Sequence, residues 1–297
     1  MKLGIAAFMA MPEAQRSGGA AVRAVERVAR DDYFSCIDVF PIVDRGARAE
    51  AISIAREAEL DVYLGAQGLL RRGDLDIGSL DPRKRREAVD AVKAAFEEAC
   101  EWPAVGVVVS SGPAVEKPKR EKALRALVES LTELTKAAGS MGAGKLILET
   151  FDSVPFGKNL LVGPTSMAVD LAGRVLDREK GFGLLLDLSH LPLLGEKPEE
   201  AVKAAHYALE HVHVGNCVMR HPKHPAYGDN HPPFGIREGE IGERELAAFL
   251  GALAEVKYIA EGAARTVSFE IKPLAGEAPE TVFENAKETM AKAWQMI

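Results

Sequence analysis

Cysteine is scarce in this chain of 297 residues, and its three copies are widely scattered. Cys36, Cys100 and Cys217 form no Cys-x-x-Cys pair, and an odd number does not suit a disulfide scaffold. A reducing compartment such as the cytoplasm is therefore expected. No apolar run approaches the ~18–20 residues of a membrane span, and no cleavable apolar segment precedes the strand-like start at Met1. These absences predict a cytoplasmic protein without a membrane partner.

An excess of positive charge and a phosphate-binding loop are also missing. The chain has 37 Lys and Arg residues against 44 Asp and Glu residues, and its net charge of -7 argues against a nucleic-acid partner. After the first strand-like segment, residues 8–13 read Phe-Met-Ala-Met-Pro-Glu, where a dinucleotide-binding sheet would carry a glycine-rich turn. Residues 142–145, Gly-Ala-Gly-Lys, are too short for a phosphate loop and precede a strand. A doubly wound nucleotide-binding sheet is therefore the less favoured fold.

The chain does have a regular alternation of short apolar runs and longer amphipathic stretches. The runs are mostly continuous, as expected for parallel strands that are buried on both faces. The predicted strands span residues 2–8, 35–41, 61–66, 104–110, 145–150, 182–188, 210–215 and 266–271. The predicted helices span residues 18–31, 46–58, 82–101, 118–139, 165–179, 198–207, 243–254 and 278–296. Eight strand-then-helix units predict a (β/α)8 TIM barrel, an α/β fold that forms a single domain over residues 1–297.

Charged or imidazole side chains end four of these apolar runs. They are Glu149, Asp187, His213 and Glu270, at the ends of strands five to eight. The carboxyl ends of barrel strands converge on one rim, so these groups are expected to lie close together. Three carboxylates would repel one another unless a divalent cation lay among them. Ligation by oxygen with one nitrogen suits Mn, Co, Mg or Zn, and the pattern does not choose between these metals.

Each of the four residues also has an ordinary structural interpretation. Glu149 could pair with a lysine, Asp187 could cap the turn that follows it, and His213 could be a satisfied rim histidine. Glu270 could form a salt bridge with Lys272, two positions along the same strand. The occurrence of all four at successive strand ends favours the metal site. His211 is expected deeper in the barrel, in a core or supporting role.

Four short motifs resemble those of the xylose isomerase-like barrel superfamily. They are Leu-Ile-Leu-Glu149, Asp187-Leu-Ser-His190, His211-Val-His213-Val-Gly-Asn216 and Ser-Phe-Glu270. That superfamily includes ketose 3-epimerases, hydroxypyruvate isomerases, inosose dehydratases and family 2 AP endonucleases. The resemblance implies that Glu149, Asp187, His213 and Glu270 are the metal ligands and that His190 faces the substrate. Dimers or tetramers are typical of that superfamily, which makes a homo-oligomer one possible state of this chain and leaves the oligomeric state open.

The chain departs from the ketose 3-epimerases at three positions. The epimerases carry an arginine six residues after the metal-binding histidine, where this chain has Met219 followed by Arg220. They carry a glutamate in place of Asn216 and a second glutamate in place of Pro155. These departures count against ketose 3-epimerase activity and leave the metal site intact.

The endonuclease branch of the superfamily binds three zinc ions. Two of the histidines that bind them come from strands two and three. Here those strands end in Asp-Val-Phe-Pro (38–41) and Gly-Ala-Gln-Gly (65–68), without a histidine. The loop over residues 216–242 carries Asp229 and His231, which with His190 could form the third zinc site. We expect these two loop residues to contact substrate or anchor the loop, and a second metal remains an alternative.

The sequence therefore predicts a metal-dependent sugar isomerase or epimerase that acts through an enediolate. Glu149 and Glu270 would be the acid/base pair, and His190 would stabilise charge on a substrate oxygen. Candidates for binding the substrate are Gln67, Asn216, Arg220, His231 and Lys272. The substrate is expected to be a small unphosphorylated ketose or polyol. The alternatives are an inosose-type dehydratase, an AP endonuclease-like hydrolase and a barrel that binds sugar or metal without turnover.

Overall fold

A closed barrel of eight parallel strands, each hydrogen-bonded to its neighbours in chain order, forms the centre of the molecule. The computed structural model describes residues 1–151 and 156–297. The strands are β1 (Lys2–Ala6), β2 (Cys36–Val39), β3 (Asp61–Gly65), β4 (Ala104–Val109), β5 (Lys145–Glu149), β6 (Phe182–Asp187), β7 (Leu209–Val214) and β8 (Thr266–Phe269). The barrel closes where β1 pairs with β8, with Ile5 opposite Phe269. The predicted (β/α)8 fold is confirmed.

Helices on the outside of the barrel connect the strands. The described residues form α1 (Ala7–Ala10), α2 (Gly18–Ala29), α3 (Arg45–Glu57), α4 (Gln67–Arg72), α5 (Pro82–Ala99), α6 (Arg120–Met141), α7 (Thr165–Leu176), α8 (His190–Leu194), α9 (Pro198–Ala205), α10 (Glu243–Glu255) and α11 (Pro279–Trp294). Side-chain caps start three of them, because Ser17, Asp44 and Asp81 each accept a backbone N–H from the first turn. Within the described residues, no helix is both long and apolar enough to cross a membrane.

Two apolar layers hold the barrel together. A small cluster formed by Cys36, Tyr63, Val108, Ile147 and Leu185 packs together as one core. A much larger cluster packs the strands against the helices around them. Successive side chains along each strand point alternately into the barrel and toward the helices. Because both sides are buried, the strands are continuous apolar runs.

A buried carboxylate on α5 ties down the loop that follows β2. Glu98 accepts the backbone N–H of Ile42 at 2.8 Å and a guanidinium N–H of Arg48 at 3.1 Å. We expect Glu98→Ala to lower the free energy of unfolding by about 2 kcal/mol, because it leaves the buried N–H of Ile42 without its partner and leaves Arg48 with only the pairing to Glu101. The neighbouring exposed Glu97→Ala should change it by less than about 0.5 kcal/mol. Urea unfolding followed by circular dichroism measures both, and equal losses would contradict this role for Glu98.

Candidate metal centre

The four predicted metal ligands meet at the carboxyl end of the barrel. Glu149 ends β5, Asp187 ends β6, His213 lies near the end of β7 and Glu270 directly follows β8. Asp187 pairs with His213 in the sheet, and one ligand atom from each of the four residues lies within 4.8 Å of the others. All four are buried. The structure therefore brings together three carboxylates and one imidazole at a single point.

The hydrogen bonds of these four residues leave room for a cation. Asp187 Oδ1 accepts the backbone N–H of Ser189 at 2.8 Å, so the predicted turn cap does form. Its other oxygen, Oδ2, is buried and has no hydrogen-bond partner among the described residues. An unpartnered buried carboxylate oxygen is costly, and a divalent cation would supply the missing partner. Three oxygens and one nitrogen fit Mn, Co, Mg or Zn.

The two glutamates have different affinities for protons. Burial and the charge of nearby Glu270 raise the pKa of Glu149 above its ordinary value. Burial also opposes ionisation of Glu270, but the imidazoles of His231 and His213 outweigh it and lower the pKa of Glu270. Without a cation, Glu149 therefore retains a proton more readily than Glu270. Two carboxyl groups whose pKa values are pushed apart are suited to opposite roles in proton transfer.

A second cluster adjoins the first and contains the two predicted loop residues. Asp229 Oδ1 lies 2.7 Å from His231 Nε2 and 3.2 Å from His190 Nε2, and the ammonium of Lys158 pairs with Asp229. His190 Nδ1 donates to the carbonyl of Thr150 at 2.7 Å. Burial opposes a charge on His190, but the carboxylates of Asp229 and Asp187 outweigh it and raise the pKa of His190 to about 10. We call these three residues the His190–Asp229–His231 cluster. The ligand atoms that lie within 4.8 Å of one another here belong to Asp187, His190 and His231, so a second cation would share Asp187 with the first site.

A glycine and a strained histidine allow the loop to approach the strand ends. A Cβ on Gly215 would lie 2.5 Å from the carbonyl oxygen of Glu270 and 2.9 Å from His231 Nδ1, so a larger residue would force them apart. His231 has a φ of 50°, in the left-handed region that residues other than glycine rarely adopt. Its carbonyl accepts the backbone N–H of Lys272 at 2.7 Å. Strained backbone of this kind is typical of functional sites.

A cavity of about 550 Å³ lies beside both clusters. Glu149 and Glu270 line it, together with the predicted substrate residues Gln67, His231 and Lys272. Gln67 Nε2 donates to Glu149 Oε2 at 2.7 Å, which leaves the other oxygen of Glu149 available. A cavity of this size is suited to a small molecule.

The structure places three predicted residues away from the cavity, which corrects the expected contacts. Asn216 is buried and ties the loop together, because it donates to the Pro233 carbonyl and accepts the N–H groups of Cys217 and Ile241. Arg220 is 74% exposed and pairs with Glu240 on the surface. His190 is fully buried behind Asp229 and does not line the cavity. Pro155, where the epimerases carry a glutamate, lies outside the described residues.

Two residues at the site were not predicted. Asp38 is a buried carboxylate within the apolar strand β2, and the nitrogens of His211 and His213 lie 2.8 and 3.1 Å from its Oδ1. A charged group in or at the end of an apolar run identified the four proposed ligands, and the same signal is present at Asp38. Lys158 follows β5, and its ammonium lies 4.5 Å from the centre of the Phe151 ring. Nothing in the sequence around Lys158 indicates this position.

Comparisons with known proteins agree with this fold. Residues 22–282 match the family model described as the xylose isomerase-like TIM barrel. A D-tagatose 3-epimerase-like protein has a TM-score of 0.74 and 20% identity, over 100% of this chain and 99% of its own. The IolI protein with a bound zinc atom also has a TM-score of 0.74 and 20% identity, over 99% and 98%.

A family 2 AP endonuclease from Brucella melitensis has a TM-score of 0.70 and 16% identity, over 97% of this chain and 99% of its own. At such identities these likenesses establish the fold. The search of curated proteins gives no match. The family model covers most of the sequence, and the resemblance inferred from the four motifs is confirmed. The chain therefore belongs to the xylose isomerase-like TIM barrel family.

Proposed function

We propose that this protein is a cation-dependent isomerase or epimerase of a small ketose or polyol. The observation that carries the proposal is the meeting of Glu149, Asp187, His213 and Glu270 beside a cavity of about 550 Å³. Solved structures of similar fold include a D-psicose 3-epimerase in the presence of D-fructose and a 3-keto-D-glucoside 4-epimerase. These names support a sugar substrate without choosing the reaction.

A divalent cation bound by these four residues would polarise the carbonyl of a hydroxy-carbonyl substrate and stabilise negative charge beside it. The protein's own contribution is proton transfer. Glu270 is the more readily ionised carboxylate and is suited to remove the proton from the carbon next to the carbonyl. The electron pair of that C–H bond then forms an enediolate. Glu149 holds its proton more readily and is suited to return one at the adjacent carbon or on the opposite face.

The other cavity residues bind and orient the substrate in this proposal. Gln67, His231 and Lys272 line the cavity from α4, the long loop and the segment after β8, so together they can contact hydroxyl groups on several sides. His190 acts indirectly, because its ring nitrogen faces Asp229 and not the cavity. Asn216 and Arg220 are left out of the substrate contacts because neither lines the cavity.

Two other reactions fit parts of the same site. A dehydratase would use the same proton abstraction and differ only in the departure of a hydroxyl group from the next carbon. A phosphodiester hydrolase is favoured only by the His190–Asp229–His231 cluster. It is disfavoured by β2 and β3, which end without the zinc-binding histidines of the endonucleases. Asp38 of β2 contacts two histidines of β7 instead, and Gln67, just after β3, donates to Glu149.

The experiment is a screen for exchange of substrate hydrogen with deuterated water. The purified protein is loaded separately with Mn, Co, Mg and Zn and incubated with D-fructose, D-tagatose, D-psicose and an inosose. We expect deuterium at a carbon next to the carbonyl of at least one substrate, together with its isomer or epimer, and chelation should stop it. Loss of water from the inosose would support the dehydratase. Cation binding without exchange in any combination would leave a binding protein and overturn the proposal.

Arg220 and Lys272 offer a matched pair for testing which residues contact the substrate. On whichever substrate the screen identifies, Lys272→Met should raise KM by about tenfold, the equivalent of one hydrogen bond from a charged group. Arg220→Met should leave KM within about twofold, because its side chain pairs with Glu240 outside the cavity. Steady-state kinetics measure both variants. A larger effect for Arg220 than for Lys272 would contradict the assignment.

A further inference from the structure

Asp38 is a carboxylate buried in the barrel next to the candidate metal centre. It belongs to β2 and is only 2% exposed, on a strand that supplies none of the four proposed ligands. Its Oδ1 lies 2.8 Å from His211 Nε2 and 3.1 Å from His213 Nε2. A carboxylate can only accept hydrogen bonds, so each of these ring nitrogens carries the proton that it donates. One oxygen of Asp38 therefore orients two imidazole rings.

His211 is itself held in place, which makes it a fixed support for Asp38. Its ring stacks on Tyr63, with ring centres 3.7 Å apart and an angle of 11° between the planes. Tyr63 in turn lies within hydrogen-bond reach of Thr266, at 3.5 Å. This stacking holds the plane of the His211 ring, and the bond to Asp38 selects which nitrogen faces β2. The position of Asp38 Oδ1 is therefore set by a residue that is not a proposed ligand.

The proton on His213 Nε2 decides which nitrogen of that ring can bind a cation. With Nε2 donating to Asp38, Nδ1 is the nitrogen that faces the proposed ligands. It lies 2.7 Å from Glu270 Oε2, so without a cation it donates to that carboxylate, and a cation bound at Nδ1 would take the place of this proton. A neutral imidazole binds a metal only through the nitrogen that carries no proton. The hydrogen bond of one ring nitrogen commonly fixes the tautomer and orientation of a metal-binding histidine.

We propose that Asp38 is a positioning residue of the metal centre, which holds His213 in the orientation that presents Nδ1 to the cation. The inference rests on the metal site of the proposed function and is independent of the reaction. It competes with one other arrangement, since ligand atoms of Asp38, His211 and His213 also lie within 4.8 Å of one another. A cation bound there would occupy His213 Nε2 instead.

The first test is the affinity for zinc without substrate, measured by calorimetry on the chain of 297 residues. Asp38→Asn should bind zinc about 10–100-fold more weakly, because its amide can donate to His213 Nε2 and so favour the wrong tautomer. Asp61→Asn is the matched control. It makes the same change on neighbouring β3, where Asp61 pairs with Lys2, and should bind zinc as the native protein does. Equal affinities in the two variants would overturn the proposal.

The second test needs no substitution and separates positioning from a merely structural role. Nuclear magnetic resonance of the zinc-loaded native protein, labelled with nitrogen-15 at its seven histidines, reports the tautomer of each ring. His213 should carry its proton on Nε2 and the metal on Nδ1. The reverse assignment would place the cation beside Asp38 and overturn the proposal. Both tests measure the metal alone, so failure to find a sugar substrate does not affect their result.

Discussion

The variants Glu149→Gln and Glu270→Gln should each fold normally. Each should exchange hydrogen between substrate and solvent about 10²–10⁴-fold more slowly than the native protein. Glutamine keeps the shape of the side chain and can still offer an oxygen, but it cannot accept and return a proton. In Glu149→Gln the bond from Gln67 to the side-chain oxygen can also persist. The measurement is deuterium incorporation by mass spectrometry on the substrate found in the screen.

Both glutamates are also proposed ligands, so the variants must be compared at equal metal content. Metal analysis of each sample and saturating cation in the assay make that comparison possible. Glu240→Gln serves as the control. Glu240 lies in the long loop over residues 216–242, where it pairs with Arg220 away from the cavity. It should exchange hydrogen at the native rate. Native rates in both metal-loaded active-site variants would end the proposed proton-transfer mechanism.

Asp187→Asn should lower the stability of the protein mainly when the cation is present. In the native protein, cation at about 100 times its dissociation constant should raise the free energy of unfolding by about 2.7 kcal/mol. Asp187→Asn should lose most of this gain, because it removes the carboxylate whose Oδ2 accepts no hydrogen bond from the described residues. Without cation the variant should differ less from the native protein, because the loss of repulsion from Glu149 and Glu270 offsets the loss of attraction to the imidazoles of His190 and His231.

Thermal unfolding in chelator and in saturating Mn or Zn measures both parts of this prediction. Asp170→Asn is a suitable control, because Asp170 lies on the surface of α7 and pairs with Arg174. Its response to cation should equal that of the native protein. If Asp187→Asn is stabilised by cation as strongly as the native protein, the four residues do not form the metal site.

The barrel could be predicted because parallel strands covered on both sides must be apolar along most of their length. Predicted strands such as 145–150 and 182–188 agree within one residue with Lys145–Glu149 and Phe182–Asp187. The predicted first strand ran to residue 8, but Ala7–Ala10 forms a helix. Helices of four to six residues, such as α1, α4 and α8, are too short to show the apolar period that identifies a helix.

Charged groups at the ends of apolar strands also identified the four proposed ligands. A barrel brings such ends to one rim whatever the sequence distance between them, so no knowledge of side-chain contacts was needed. The same signal was present at Asp38, but the role of this carboxylate depends on which side chains of other strands it contacts inside the barrel. Only the closed sheet places His211 and His213 of β7 against Asp38 of β2.

The amino-acid sequence alone determined the order of the strands, the barrel and the four side chains at its rim, because these follow from local apolar patterns and a common topology. The tertiary structure decided which residues reach the cavity. The path of the long loop buries Asn216, exposes Arg220 and places Asp229 between His190 and His231. The direction of a loop depends on contacts with distant segments, and such contacts have no signature in the residues of the loop itself.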